Sequence, residues 1–351
     1  MSYNKTNQTR VVRRKKRRRL KKRAFFILIP LLVILAGVSY ASYLYIKADS
    51  VFSNSYEDDG REKSELREAA VDPTKDNVSV LIMGVDASNI RQNADNSRTD
   101  TLMVATLNKK NDSVKLLSIP RDSYVYIPEI GREDKINHAH ARGGTTATID
   151  TVENLLDIPI DYYVKVNFEA FIDVVDAVDG INVDVPYELR EQNSKDQAGA
   201  IHLLPGEQQL NGEEALALAR TRKQDNDIER GKRQQEIIKS VVKKAASLNS
   251  VLKYDDVIDA VGSNMTTNMT FSEMKSFISY GTAGKNLNFE TLSLEGNDYQ
   301  PGNVYYWQID QVALQETKQT LQSHLDITPS SSTVNSTDGS TTTSEENSSP
   351  Y

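Results

Sequence analysis

Arginines and aspartates stand near the ends of apolar runs in this chain, where a fold exposes functional groups. Asp86 closes the run Val78–Val85. Arg98 and Asp100 bracket the entry to the next run, and two-residue spacing on a strand puts them on one face. Arg121 follows a third run, within Pro120-Arg121-Asp122. A second group is Arg220-Thr221-Arg222, then Asp225, Asp227, Arg230, Arg233 and Gln234. On a helix, Arg230, Arg233 and Gln234 share a face that runs on into Ile237, Ile238 and Val241. Arginine presents a planar fork of donors matched to phosphate oxygens. A pyrophosphate diester carries charge that grows on the leaving group as its bond breaks, and arginines with a divalent ion stabilise that charge. Two aspartates, with phosphate oxygens and water, suffice to hold Mg²⁺. A lipid pyrophosphate would want this combination of cationic head and apolar wall. The plainer reading of the same residues is surface ion pairs and strand-end caps.

Other chemistries lack their residues. No phosphate loop of the nucleotide-hydrolase type, dinucleotide glycine fingerprint, Gly-x-Ser-x-Gly elbow or His-Glu-x-x-His helix occurs. With no cysteine among 351 residues, thiolate chemistry and disulfides are excluded. His138 and His140, two apart on a helix, point away from each other, which favours capping or surface roles over a metal site. Trp307 and the scattered tyrosines read as core or surface residues rather than sugar platforms.

These side chains need a scaffold, and the apolar pattern predicts one. Strands are expected at Val78–Val85, Thr99–Leu107, Val114–Ile119, Tyr162–Asn167, Ile181–Val185 and Phe289–Leu294. Helices are expected over 137–156, 169–178, 211–220, 228–248, 271–279 and 307–325. Alternation of the two predicts an α/β fold around a largely buried sheet. Parallel strands would gather the charged groups at the carboxyl edge, where such sheets bind ligands, and antiparallel pairing would break that arrangement.

The charge is segregated. Residues 1–46 hold 12 of the 42 Lys and Arg and no acid, which leaves 30 basic against 49 acidic residues beyond them. The excess of acid argues against a nucleic-acid partner. Residues 24–46 are uncharged and long enough, about 34 Å as a helix, to cross a bilayer. The basic segment 1–23 before them predicts a cytoplasmic N-terminus and a single-pass anchor, uncleaved because its apolar core is long for a signal peptide. Residues 47–76 read as a polar extracytoplasmic stalk and 77–327 as the folded domain. Ser, Thr and Asn dominate 328–351, which cannot bury a core and reads as a disordered tail.

Several segments, taken together, resemble the LytR-CpsA-Psr cell-wall proteins. They are Leu81-Ile-Met-Gly-Val-Asp86, Arg98-Thr-Asp-Thr101, Ser118-Ile-Pro-Arg-Asp122, Lys135-Ile-Asn-His-Ala139, Asn167-Phe-Glu-Ala-Phe171 and Asp176-Ala-Val-Asp-Gly180. Leu210-Asn-Gly-Glu-Glu-Ala-Leu216, Ala219-Arg-Thr-Arg222 and Asp227-Ile-Glu-Arg-Gly-Lys-Arg-Gln-Gln235 continue the series in the family's order, over about residues 77–250. The resemblance implies a single α/β domain, a central mixed β-sheet flanked by helices behind one transmembrane helix. It also implies an enzyme at the cell membrane of a Gram-positive bacterium, acting outside the cytoplasm. Such an enzyme transfers a glycopolymer, wall teichoic acid or a capsular or secondary wall polysaccharide, from polyprenyl pyrophosphate to the C6 hydroxyl of N-acetylmuramic acid in peptidoglycan. By motif, Asp86 and Asp100 would hold Mg²⁺ or Mn²⁺, and Arg98, Arg121, Arg220, Arg222, Arg230, Arg233 and Gln234 would bind the pyrophosphate. Arg98, Arg121, Arg220 and Arg222 carry the catalytic role in that reading, and Asp227 is a candidate acid/base. Pyrophosphate hydrolysis is an expected side activity. The rival readings are a non-catalytic binder of polyprenyl pyrophosphate and a membrane-bound transcriptional regulator. One departure is Asp179, where the family usually has a second glycine.

Overall fold

The structure is a computed structural model that describes residues 17–85, 98–222, 226–246, 258–259, 262, 265–282 and 287–327. The strands are β1 (Val78–Val85), β2 (Thr99–Asn108), β3 (Ser113–Ser118), β4 (Tyr124–Ile127), β5 (Arg132–Lys135), β6 (Tyr162–Val166), β7 (Ile181–Val185), β8 (Leu189–Glu191), β9 (Ile201–Leu203), β10 (Gly206–Leu210), β11 (Met265–Thr267), β12 (Asn288–Ser293), β13 (Gly296–Tyr299) and β14 (Tyr306–Ile309). The helices are α1 (Arg17–Ser55), α2 (His138–Leu156), α3 (Phe168–Ala177), α4 (Gly212–Arg220) and α5 (Asp227–Ala246), followed by Phe271–Thr282 and Gln311–Leu325. The chain divides into two compact units, one of residues 59–163, 224–235 and 286–351 and one of residues 1–58, 164–223 and 236–285.

The first of these units is built on a mixed sheet. β1, β2 and β3 pair antiparallel, and β12 adds to β3 in parallel. Leu81, Met83, Leu102, Val104, Leu117 and Ile119 point to one face, where α2 and the Gln311–Leu325 helix supply Ile149, Val152, Leu156, Leu314, Leu321 and Leu325. Val80, Met103, Ala105 and Leu116 are also buried, so both faces are covered and the strands read as near-continuous apolar runs. Gly231 of α5 lies against β3 so closely that an added Cβ would sit 2.4 Å from Ser118 Oγ.

Antiparallel pairing does not scatter the charged groups, as the sequence argument held; it assembles them. Val85 at the end of β1 pairs with Thr99 at the start of β2, and Ile119 N–H after β3 donates to Leu102 O. The end of β1, the start of β2 and the end of β3 therefore share one edge. A parallel β2 would carry Asp100 to the opposite edge, a strand length away.

Residues 47–76 are not a simple stalk. α1 continues to Ser55, and residues 59–76 belong to the sheet unit. Arg67 donates to both oxygens of Asp161, Nε to Oδ1 at 2.9 Å and Nη2 to Oδ2 at 2.6 Å, and Arg61 pairs with Asp59 and Glu153. Asp161 also accepts from Ser79 N–H, which fastens the segment to β1. A second correction concerns 307–325: the helix starts at Gln311, behind an Asp310 cap, and Tyr306–Ile309 is instead a strand paired with β13. A third concerns 137–156, where Gly143 and Gly144 leave helical geometry and divide α2.

The other unit packs α3 and α4 with the hairpins β7–β10 and β8–β9 around Val175, Ile181, Leu210, Leu218 and Ile237. Asn211 and Glu214 form a capping box on α4, and Asn167 caps α3. Asp179 and Gly180 form the turn into β7 with φ of 67° and 72°. Aspartate tolerates that left-handed conformation, which its short polar side chain suits. In this unit Phe52 of α1 stacks on Phe271 at 5.6 Å, and β6 pairs antiparallel with β11. Phe26–Ser55 is apolar and long enough to cross a membrane, and residues 26–35 are exposed, with Pro30 inside the helix.

Candidate functional site

The edge that gathers three strand ends carries an Arg–Asp cluster. Arg121 sits in a turn held by backbone bonds on both sides. Ser123 N–H donates to Pro120 O, Asn137 N–H to Arg121 O and Trp307 N–H to Asp122 O. With its backbone fixed, the Arg121 guanidinium reaches three carboxylates. Nη1 donates to Asp100 Oδ1 at 2.8 Å, and Nε lies 3.6 Å from Asp122 Oδ2 and 3.5 Å from Asp227 Oδ2. Those two Nε contacts are ionic only, for this buried atom makes no hydrogen bond.

α5 supplies the opposing wall. Asp227 stands in its first turn, where a negative charge complements the helix dipole. One turn on, Arg230 Nη1 pairs with Asp227 Oδ1 at 3.0 Å, and its Nη2 donates to the backbone oxygen of Asp100 at 3.2 Å. Lys135, at the end of β5, donates to Asp122 Oδ1 at 2.7 Å. Three cations and three carboxylates thus interlock. Arg230 is buried to 4 % exposure, whereas the Asp100 side chain keeps 37 %, so the cluster opens to solvent on the Asp100 and Arg121 side. Two guanidinium groups converge on Asp100, one on its carboxylate and one on its carbonyl. An incoming anion that displaced the carboxylate would meet fixed donors already in place.

The other sequence candidates fall as follows. Arg98 is exposed just before β2, and Thr99 between it and Asp100 is fully buried. Arg233 is buried and Gln234 half-buried, as a face shared with Arg230 requires, and Ile237 continues that face. Arg220 and Arg222 belong to the other unit. Arg220 closes α4 with its guanidinium 4.9 Å from the Phe168 ring centre, and Arg222 is exposed. Asp86 and Asp225 lie outside the described residues. Sequence reasoning missed Asp122 and Lys135, although both stand in the motif segments; a partner on a separate hairpin has no spacing signature. His138 pairs with Asp134 at 3.1 Å, while His140 is buried rather than on the surface. Burial disfavours the Asp134 carboxylate, but hydrogen bonds from His138 and the Lys135 N–H outweigh it and hold its pKa low.

Among the described residues no group of three His, Asp or Glu is arranged as a metal site. The cluster still offers hard oxygen donors of the kind Mg²⁺ takes. Asp100 is accessible, and two buried oxygens lack a hydrogen-bond partner, Thr99 Oγ1 of the preceding residue and Oδ1 of Asn137, whose backbone N–H donates to Arg121 O. The donor chemistry fits a hard divalent cation completed by water and substrate oxygens.

The LytR_cpsA_psr family model matches residues 42–323. The polyisoprenyl-teichoic acid–peptidoglycan teichoic acid transferase TagT of Bacillus subtilis is 41 % identical over 303 residues, covering 86 % of this chain and 93 % of its own. Among solved structures, TagT bound to LIIa-WTA is similar with a TM-score of 0.67 and 41 % identity, over 77 % of this chain and 98 % of that one. The same protein with bound octaprenyl pyrophosphate lipid gives a TM-score of 0.63 and 38 % identity, over the same shares.

Proposed function

The chain belongs to the LytR-CpsA-Psr family, and from that we propose that it is a membrane-anchored transferase carrying a glycopolymer of the teichoic acid class from a polyprenyl-pyrophosphate carrier to peptidoglycan. Arg121 carries the reading. Its guanidinium is held rigidly at a solvent-facing edge, compensated by Asp100 and backed by Arg230. A salt bridge built only for stability gains little at such an edge. A phosphate-binding arginine gains from waiting there in a fixed orientation.

The reaction balances as follows. The C6 hydroxyl of an N-acetylmuramic acid residue bonds to the phosphorus nearest the sugar. The bond from that phosphorus to the bridging oxygen breaks, and the electron pair leaves on the polyprenyl phosphate. The hydroxyl proton passes to a carboxylate, with Asp227 as the candidate base. Arg121 and Arg230 meet the charge that develops on the bridging and terminal oxygens, and Arg98, Arg233, Gln234, Arg220 and Arg222 are assigned to the same pyrophosphate by motif. Mg²⁺ or Mn²⁺, held by Asp100 with Asp86, would supply further charge neutralisation when bound. Water in place of the sugar hydroxyl gives the hydrolytic side activity. Anionic ligand and Asp100 compete for one guanidinium, and a carboxylate displaced from Arg121 would be available to hold the cation. The basic segment 1–23 ahead of the apolar span supports an orientation with the catalytic units outside the cytoplasm.

The test is transfer by the full chain in detergent, with a synthetic polyprenyl-pyrophosphate glycan, peptidoglycan oligomers and Mg²⁺. Loss of a fixed donor to the transition state costs about 100-fold or more, so Arg121→Ala is expected to fall by that factor. Arg121→Lys keeps the charge but loses the fork, and is expected between the two. Transfer retained in a folded Arg121→Ala protein sinks the assignment.

A further inference from the structure

Two hairpins hang from the turn that fixes Arg121, and both carry tyrosine. β4–β5 starts two residues after Asp122, and β13–β14 joins it through a bridge between Ser123 and Trp307. Across the junction Tyr124, Tyr299 and Tyr306 form one cluster, with ring centres 4.8 Å apart for Tyr124 and Tyr306, 5.5 Å for Tyr124 and Tyr299 and 6.3 Å for Tyr299 and Tyr306. Lys135 Nζ lies 5.6 Å from the Tyr306 ring and 5.9 Å from Tyr305, while its hydrogen bond goes to Asp122 of the charged cluster. The platform is thus continuous with the phosphotransfer site through Lys135 and Asp122. Tyr305 is 40 % exposed and Tyr126 47 %.

Polar acceptors rim the rings. Tyr305 donates its hydroxyl to Asp298 at 2.9 Å, and burial with the nearby Glu133 carboxylate raises the pKa of the Tyr124 phenol. Burial and the Asp298 hydrogen bond push the Tyr305 phenol up to about 12, so it stays a neutral donor. Aromatic faces beside carboxylate acceptors suit a pyranose, which has an apolar C–H face and a hydroxyl edge. They do not suit a polyprenyl tail, which needs an unbroken apolar wall. Charge separates the two glycans of the reaction. Asp298 and Glu133 rim the platform outside the Arg–Asp cluster and would repel a polyanionic donor polymer. They leave an uncharged N-acetylated amino-sugar backbone unopposed.

We infer that the Tyr124–Tyr299–Tyr306 cluster with Tyr305 is the subsite for the acceptor glycan strand, whose sugar rings it stacks beside Arg121. This rests on the transferase reading for the word acceptor, while the glycan binding itself does not. The test therefore has two arms, both on the full chain in detergent. In the first, chitotetraose is titrated as an uncharged amino-sugar probe, and the emission of Trp307, the chain's one tryptophan, is followed. Binding is expected, and weakened about tenfold in Tyr305→Ala and in Tyr299→Ala. No binding by the unaltered chain, or binding indifferent to both substitutions, overturns the subsite. In the second arm, Tyr305→Ala is expected to raise the KM for peptidoglycan strands with kcat and the donor KM unchanged. A raised donor KM instead assigns the platform to the donor sugar and overturns the inference. If the unaltered chain binds chitotetraose but transfers nothing, the transferase reading fails and the glycan platform stands.

Discussion

His324 makes the stability of the sheet unit depend on pH between neutrality and about 4. The ring is 7 % exposed, with Thr106 Oγ1 2.8 Å from Nδ1 and Ser113 Oγ 2.9 Å from Nε2. Asn108 and Asn77 side chains donate to its backbone oxygen. Burial, with the charge of Lys115, lowers its pKa from 6.5 to about 4, against the opposing pull of Glu290 and Asp326. The hydroxyl partners accept either protonation state by rotating, so the penalty on the charged ring is desolvation and repulsion rather than a lost hydrogen bond. The folded state prefers the neutral ring more than the unfolded chain does. Its stabilisation is therefore complete above pH 6.5 and is lost as pH falls from there toward about 4. The full shift corresponds to about 3 kcal/mol, and about 2 kcal/mol of it falls between pH 7 and pH 5. The assay is urea unfolding in detergent at both pH values, read by Trp307, which lies in the same unit. His324→Gln keeps a polar side chain and removes the titration. The unaltered protein is expected to lose about 2 kcal/mol more than the variant on going from pH 7 to pH 5. Equal losses in the two proteins would refute the reasoning, because every carboxylate titrates in both.

Gly231→Ala is expected to destabilise by about 1–3 kcal/mol in the same unfolding assay, since its Cβ would lie 2.4 Å from Ser118 Oγ and displace the turn carrying Arg230. Ser118→Gly in the same chain is expected to restore most of that loss, and no restoration would mean the conflict lies elsewhere. Arg67→Ala leaves Asp161, 3 % exposed, without its bidentate partner, and is expected to cost about 3 kcal/mol. A cost below about 1 kcal/mol would show that the bonds from Ser79 suffice.

Long apolar runs made much of this fold legible. Strands β1, β2, β3 and β7 fall within one or two residues of their expected places because each run is buried on the face or faces its pattern indicates. The short hairpins β8–β9 and β13–β14 were not legible, since strands of three or four residues are too short to show a period, and they form only against tertiary neighbours. Strand direction was not legible either. Asp100 and Arg121 meet through antiparallel register, which no local pattern encodes. Arginine and aspartate types singled out the candidate cluster because several of them fall at successive strand and helix ends, although ion pairs and caps use the same residues. Lys135 and Asp122 escaped because their partnership spans a hairpin. Residues 59–76 looked like a stalk because their charges, Arg61 and Arg67, read as solvated until Glu153 and Asp161 are placed beside them.

The turn at Asp179 and Gly180 bears on how this protein ages. In an Asp-Gly pair the carboxyl carbon can be attacked by the following amide nitrogen, closing a cyclic imide that reopens to isoaspartate. Gly180 N–H is held instead in a hydrogen bond to Val175 O at 2.9 Å, at the end of α3. Its nitrogen is turned toward the helix, and its left-handed backbone is set by the turn. Folding thereby shields one of the bonds that composition makes fragile. Isoaspartate at position 179 in old preparations would be a record of time spent unfolded, written into the covalent chain.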